Sequence, residues 1–388
     1  MSTSNAERFS FPEVTPLQSI GELRTLLPAT LKYAYLDNAA LSPIPVPTAD
    51  AIRFWAGDAM LNGVLHWKHW QTLIRQTREL AAQLMGSSPD EVAFVPNTAA
   101  GIAVVAEGFP WQAGDNVVVP KAEFPSNLYP WLNLRSRGVE VRLVEGRATE
   151  VAIRDACDSA TKIVACSWVD FISGERRDLA GLAEIAHRHG ALLAVDAIQG
   201  LGALDLDVSA CGVDVLVADG RKWLLAADGT GILYVRRECA ERLRVLGPGW
   251  NSVVNPTDFE CGELRLKSDT TRFETGILNT CGIAALYASL KLLCSIPLSD
   301  RQERLLQIRA ELQDAAASAG MSAFAVPADR QSGILSLDCG GRDPHTVARN
   351  MRRQDVIVSV RGERLRASPH IYNNSDDVQR FAELCRTA

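Results

Sequence analysis

The chain has 388 residues, 40 Lys+Arg against 46 Asp+Glu, a net charge of -6 and 47% apolar residues. This is an ordinary soluble composition, long enough for one large α/β domain with a satellite or for roughly two or three domain-sized units. Mild acidity argues against nucleic-acid binding, no uncharged apolar run approaches the roughly 18 residues of a membrane span, and the start MSTSNAERFSFPEV lacks the basic and apolar regions of a signal peptide.

In chain order, a polar arm leads into a short helix near Ile20–Leu27 and a short apolar segment, Tyr33–Leu36. DNAALSPIPVP is a proline-punctuated loop. Ala49 to Met85 has helical spacing with a break near Asn62-Gly63. Glu91–Val95 reads as a strand and Ala99–Gly108 as a helix of small residues. Further strands are expected at Asn116–Val119, Val139–Val144, Ile163–Ser167, Leu192–Val195, Val213–Val217 and Gly231–Val235, with helices at Pro125–Arg137 and Leu179–His189. Short, continuous β-branched runs separated by helices signify a mainly parallel sheet covered on both faces. After about Thr280 come helices at Cys281–Cys294, Asp300–Ala319, Thr346–Gln354 and Asp376–Cys385, with strands at Gly333–Asp338 and Val356–Val360. That part reads as a smaller α+β unit. The expected division is a large domain over 32–290 and a small one over 291–388, joined by the arm 1–31.

The nine cysteines are scattered without a C-x-x-C pair, which points away from a zinc or redox motif and toward reduced thiols in the cytoplasm. No metal site is expected. Seven of the 40 cationic residues are lysines, so a lysine that carries chemistry is easy to find. In open α/β sheets ligands gather beyond the carboxyl ends of the strands. Two such ends stand out. Asp196 follows one apolar strand, with Gln199 three residues on, and Lys222 follows the next, 26 residues later, about one crossover away. Pyridoxal phosphate needs this pairing: a lysine for a Schiff base, and a carboxylate that keeps the ring nitrogen protonated. Its phosphate needs an anion site, and the helix start Asn97-Thr98-Ala99 offers free N–H groups and a hydroxyl. Taken singly, each has a plainer reading. Asp196 could be a loop or capping residue, Lys222 a solvated one, and Thr98 an N-cap.

YLDNAALSPIP, FVPNTAAGIAVVAEGF, AEFPSNLYPW, LLAVDAIQGLGALDLDV, ADGRKWLLAADGTGILYVR, RFETGILN and RLRASPHIYN together resemble the class V aminotransferase family of pyridoxal phosphate enzymes. That group includes cysteine desulfurases, selenocysteine lyases and isopenicillin N epimerase-like proteins. The resemblance runs from about Tyr33 to the C-terminus and implies the fold-type-I architecture, a mainly parallel large domain with a smaller α+β domain, and a homodimer. It implies that Lys222 holds the cofactor and moves protons at Cα, that Asp196 pairs with the ring nitrogen and that Gln199 reaches the phenolic oxygen. Thr98 and the Ala99 N–H would hold the phosphate, with Asp219 and Arg221 beside it. Arg221 could equally form an ion pair with Asp219 or Asp228. Phe124 falls where a ring stacks on the cofactor, or is a core residue. Arg366 falls where the substrate carboxylate is bound, a role suited to a bidentate guanidinium, although Arg361 and Arg364 lie in the same patch. Asn38 is a further substrate-side candidate. His66, with His69, Trp67 and Trp70, either shapes the substrate pocket or forms a packed helix face.

The chain also departs from the desulfurase pattern. Phe124 replaces a His, Phe171 an Asn, and Ile277 a Thr that relatives offer across the subunit interface. The reactive Cys-bearing loop has no counterpart, because IVSVRG and LRASPHIYN are joined by Glu363 and Arg364 alone. The reaction expected is therefore C–S β-elimination from a cysteine-derived amino acid, through an external aldimine and loss of the Cα proton. A transaminase or epimerase sharing these first steps is one alternative, and a non-catalytic binding protein another.

Overall fold

The computed structural model describes residues 9–258, 260 and 262–387. Residues 1–8 of the expected arm, and Cys261, lie outside the described residues. In chain order the strands are β1 (Ala34–Tyr35), β2 (Val92–Val95), β3 (Asn116–Pro120), β4 (Glu140–Val144), β5 (Thr161–Ser167), β6 (Leu192–Asp196), β7 (Val215–Asp219) and β8 (Gly231–Val235), followed by β9 (Ser322–Ala323), β10 (Leu335–Asp338), β11 (Val356–Ile357), β12 (Ser359–Arg361) and β13 (Arg364–Ala367).

The larger sheet has seven strands in the order β2-β8-β7-β6-β5-β3-β4. Only β8 runs against the rest, so the sheet is mainly parallel. Every residue of β2, β3, β6, β7 and β8 is buried. Such strands have no solvent face, so they appear in sequence as unbroken apolar runs rather than alternating ones. Val118 joins the core on one face, while Val117 and Val119 join the core on the other. The helices Val46–Asn62, Trp67–Met85 and Thr280–Leu293 pack together over the first of these cores. The break between the first two falls at Gly63, whose φ of 54° suits the absence of a side chain.

The smaller sheet, β12-β13-β10-β9, is antiparallel, and β1 pairs with β11 beside it. Its core holds Ala34, Leu36, Leu335, Leu365 and residues of the helices Leu298–Ala317, Pro344–Arg353 and Ser375–Thr387. Residues 34–36 thus share the smaller core, and Val14, Leu17, Leu23 and Leu27 share the larger one. The two units exchange segments across the expected 31/32 boundary, and residue 290 lies inside the helix Thr280–Leu293.

Two local expectations are corrected. Pro125–Arg137 is not one helix but a 3₁₀ turn, a five-residue α-helix and a second 3₁₀ turn. Pro125 and Pro130 supply no N–H, and each stands in the first turn of its own piece, the first 3₁₀ turn and the α-helix. A helix at Glu150–Ala156, capped by Thr149, adds to those read from sequence. No single helix among the described residues is long and apolar enough to cross a membrane.

Candidate active site

The parallel strands bring their carboxyl ends to one edge of the larger sheet. There a cavity of about 470 Å³ is lined by Thr98, Ala99, Phe124, Ser126, Asp196, Ile198, Asp219, Arg221, Lys222 and their neighbours. Asp196 ends β6 and Asp219 ends β7, with Lys222 three residues beyond, so adjacent strands deliver the acid and the amine to the same space.

Burial pushes the Asp196 carboxyl above its usual range, and the nearby carboxylates Glu123 and Asp219 push the same way. Burial lowers the Lys222 ammonium from its ordinary 10.5, against the attraction of Asp196 and with the repulsion of Arg366 and Arg221. The amine lies 5.8 Å from the centroid of the Phe124 ring. Phe124 is 40% exposed, so it walls the cavity rather than filling the core, and it meets Phe171 edge to face at 5.3 Å. The turn that carries Lys222 is held at both ends: Leu225 N–H donates to Lys222 O, and Ser289 Oγ donates to Leu224 O.

The helix Thr98–Gly108 points its N-terminus at the cavity. Gly101 lets it lie directly on the sheet, because a Cβ there would stand 2.5 Å from Val217. Asn97, not Thr98, is the N-cap: its side chain accepts from Ala100 N–H at 2.9 Å. The Thr98 hydroxyl is therefore spare; it is buried and has no hydrogen-bond partner. A spare buried hydroxyl beside first-turn N–H groups suits a phosphate oxygen. With Lys222, Asp196 and Phe124 around the same cavity, the residues present fit pyridoxal phosphate.

The other candidates sit as follows. Arg221 lines the cavity and also pairs with Asp219 at 3.7 Å and Asp228 at 3.6 Å. Gln199 is buried with its amide engaged, donating to Ala39 O and accepting from Trp223 Nε1, each at 3.0 Å. Asn38 is buried and bonded to Ser368 O, Ser42 and Tyr372. Arg366, on β13, is 1% exposed. Its guanidinium donates to Phe171 O at 3.1 Å and faces Asp37 at 3.4 Å, and its Nε is unpaired. Arg361 and Arg364 are more exposed, and Arg364 lies over the Phe324 ring. His66 forms a short contact with Asp58 at 2.6 Å, Trp70 donates to the same carboxylate, and Phe9 stacks on His69. These rings form a packed helix end and are not among the residues lining the cavity.

Sequence reading missed Ser126 and Ile198 in the lining and the buried Glu123–Ser167 contact behind it. Ser126 had a signal in its place two residues after Phe124; the Glu123 contact joins residues far apart in the chain and had none. The β12–β13 connection is a tight hairpin in which Arg361 pairs with Arg364, so the turn is Gly362-Glu363 rather than Glu363-Arg364. Among the described residues no cysteine lines the cavity, and the eight described cysteines are free.

A family model described as aminotransferase class-V matches residues 34–381. A protein of Methanothermobacter thermautotrophicus named "Probable cysteine desulfurase" is 31% identical over 93% of this chain and 96% of its own length. The apo structure of a cysteine desulfurase from Thermococcus onnurineus NA1 superposes with a TM-score of 0.85 at 24% identity, covering 96% of this chain and 98% of that one. The cystine C–S lyase C-DES, solved with its reaction product cysteine persulfide, gives a TM-score of 0.86 at 22% identity, covering 92% of this chain and 99% of that one.

Proposed function

The chain belongs to the class-V aminotransferase family of pyridoxal phosphate-dependent enzymes, and we propose that within it this enzyme is a C–S β-lyase acting on a cysteine-derived amino acid. The observation that carries this reading is the Gly362-Glu363 hairpin, which leaves no loop to bring a thiol to Lys222. Bound pyridoxal phosphate supplies an aldehyde for an amino group and a protonated ring that withdraws electrons from the Cα–H bond.

The chain's own residues do the rest. Thr98 and the helix N-terminus hold the phosphate end. Asp196 keeps a proton on the ring nitrogen, and the Phe124 ring limits the slot. Arg366 binds the substrate carboxylate with its guanidinium fork. The Lys222 amine takes the Cα proton; its lowered proton affinity favours the free base that this step needs. In the overall reaction the Cβ–S bond breaks, and one water and one S-substituted cysteine give one thiol, one pyruvate and one ammonium. Phe124 and Phe171, in place of the polar residues of the desulfurase pattern, suit an apolar S-substituent.

The enzyme acts as a homodimer in the cytoplasm. The exposed Met60, Leu61, Val64, Leu65 and Ile277 support a covered apolar face, and the free cysteines support a reducing compartment. The test is incubation with S-substituted cysteines: thiol and pyruvate in equal amounts are expected. Alanine or a keto acid retaining sulfur would overturn the lyase in favour of a desulfurase or transaminase, and Cα-proton exchange alone in favour of an epimerase.

A further inference from the structure

Behind the Phe124 wall lies a carboxylate that the chemistry above does not use. Glu123 is 8% exposed, and its hydrogen-bond partners are neutral. Its Oε1 accepts from Ser167 N–H at 2.8 Å. Its Oε2 accepts from the Ser167 hydroxyl and from Asn127 Nδ2, the latter at 3.1 Å. Trp131 Nε1 donates to Asn127 Oδ1 at 3.2 Å. An indole N–H can only donate, so this bond fixes which end of the Asn127 amide faces Glu123. Glu123 therefore meets three donors, an arrangement that an ionised carboxylate satisfies and an amide does not.

Where these bonds lead matters more than their number. Ser167 ends β5 and stands opposite Asp196 in the β5–β6 register, and Trp168 N–H donates to Asp196 O at 2.8 Å. On the other side, Glu123 is bonded directly to Phe124, and Ser126 follows in the same turn; both line the cavity. One buried side chain thus joins the segment that supplies the ring wall to the strand end beside the acid.

We propose that Glu123 is a positioning residue: its carboxylate clamps the Phe124 segment to Ser167 and so sets the width of the slot in which the cofactor ring lies. The proposal rests on the cofactor occupying the Lys222 cavity. A glutamine at 123 would turn an NH₂ group toward one of the three donors and open the clamp.

The experiment compares wild type with Glu123→Gln and Ser167→Ala, each stripped of cofactor and titrated with pyridoxal phosphate. Melting temperature, dissociation constant and the visible circular dichroism of the saturated protein are read together. The dichroism arises only when the ring is held at a fixed tilt, so a general loss of stability does not reproduce its change. For E123Q we expect cofactor binding weakened about tenfold and most of the visible dichroism lost at full occupancy; S167A should move the same way to a smaller extent. Unchanged binding and dichroism in a folded E123Q overturn the proposal. If E123Q does not fold, the same result in S167A overturns it. A wild type that binds no cofactor, with no borohydride trapping on Lys222, would instead overturn the reading on which the proposal rests.

Discussion

Arg361 pairs with Arg364 across the β12–β13 hairpin, leaving Gly362 and Glu363 as the entire turn. A turn of this length holds its tip against the sheet and cannot sweep a side chain through the cavity. Turnover should therefore not depend on a thiol of the chain. Alkylation with iodoacetamide under native conditions is expected to leave the rate of thiol and pyruvate release unchanged, measured by thiol capture and a coupled pyruvate assay. Loss of activity in step with one alkylated cysteine would count against the lyase.

Thr98 gives a prediction of opposite sign on two measurements. Its hydroxyl is buried without a partner, a state that costs the cofactor-free fold on the order of 1 kcal/mol. Thr98→Val keeps the shape and removes the hydroxyl. The cofactor-free variant should be as stable as wild type or more so in urea unfolding, while its affinity for pyridoxal phosphate falls about tenfold. A variant equal to wild type in affinity would mean that the hydroxyl does not meet the phosphate.

In the proposed reaction Lys222 captures the cofactor as a free amine, and burial lowers its proton affinity. Rising pH increases the free-base fraction, so capture should accelerate with pH and level off below 10.5, the ordinary value for lysine. Stopped-flow absorbance on the cofactor-free protein measures this. A rate still climbing through 10.5 would contradict the lowered value.

Arg366 is gripped by Phe171 O and Asp37 in a fixed plane. Arg366→Lys keeps the charge and loses the fork. The KM for an amino-acid substrate should rise about tenfold or more with a smaller change in kcat, because carboxylate binding is shared by ground and transition states. Steady-state kinetics on one S-substituted cysteine reads the split; an unchanged KM would assign the carboxylate to Arg361 or Arg364.

His370 gives a test on stability. Ile371 N–H donates to its Nδ1 at 2.9 Å, so Nε2 carries the hydrogen and donates to Trp223 O at 3.2 Å. The ring is neutral, and burial lowers its proton affinity from 6.5 to about 4. An unfolded chain takes up this proton near 6.5 and the folded chain only near 4. The stability held by neutral His370 is thus complete above 6.5 and is lost as pH falls from there to about 4. Over that interval wild type should lose up to ~3 kcal/mol more than His370→Gln, read from urea unfolding at pH 7 and pH 4.5. Equal losses would show that another group controls acid stability.

The strands were the most legible part of the sequence, because burial on both faces forces strands such as Leu192–Asp196 and Val215–Asp219 to be apolar up to the aspartate that ends each. Asp196 and Lys222 stood out for the same reason, as charged residues closing apolar runs. The lone antiparallel strand, β8, was not distinguishable, since strand direction leaves no mark on so short a segment. The breaks at Pro125 and Pro130 were legible in principle, because a proline can start a helix but not continue one. The β1–β11 pairing and the Glu123–Ser167 bond depend on residues brought together only by the finished fold. Thr98 needed the structure for another reason: either Asn97 or Thr98 could cap the helix, and the backbone decides between them.

The close seating of Gly101 on the Val217 side chain makes the helix bearing Thr98 and the strand leading to Lys222 a single ruler, with its length set by that contact. Arg366 belongs to a different sheet and is not graduated on that ruler. Arg366 is nevertheless tied to the cavity wall through Phe171, whose carbonyl it grips and whose ring meets Phe124. On the proposed reading, a substitution at Arg366 therefore reaches the cofactor slot through that ring pair, while the spacing of Thr98 from Lys222 is set by the larger sheet.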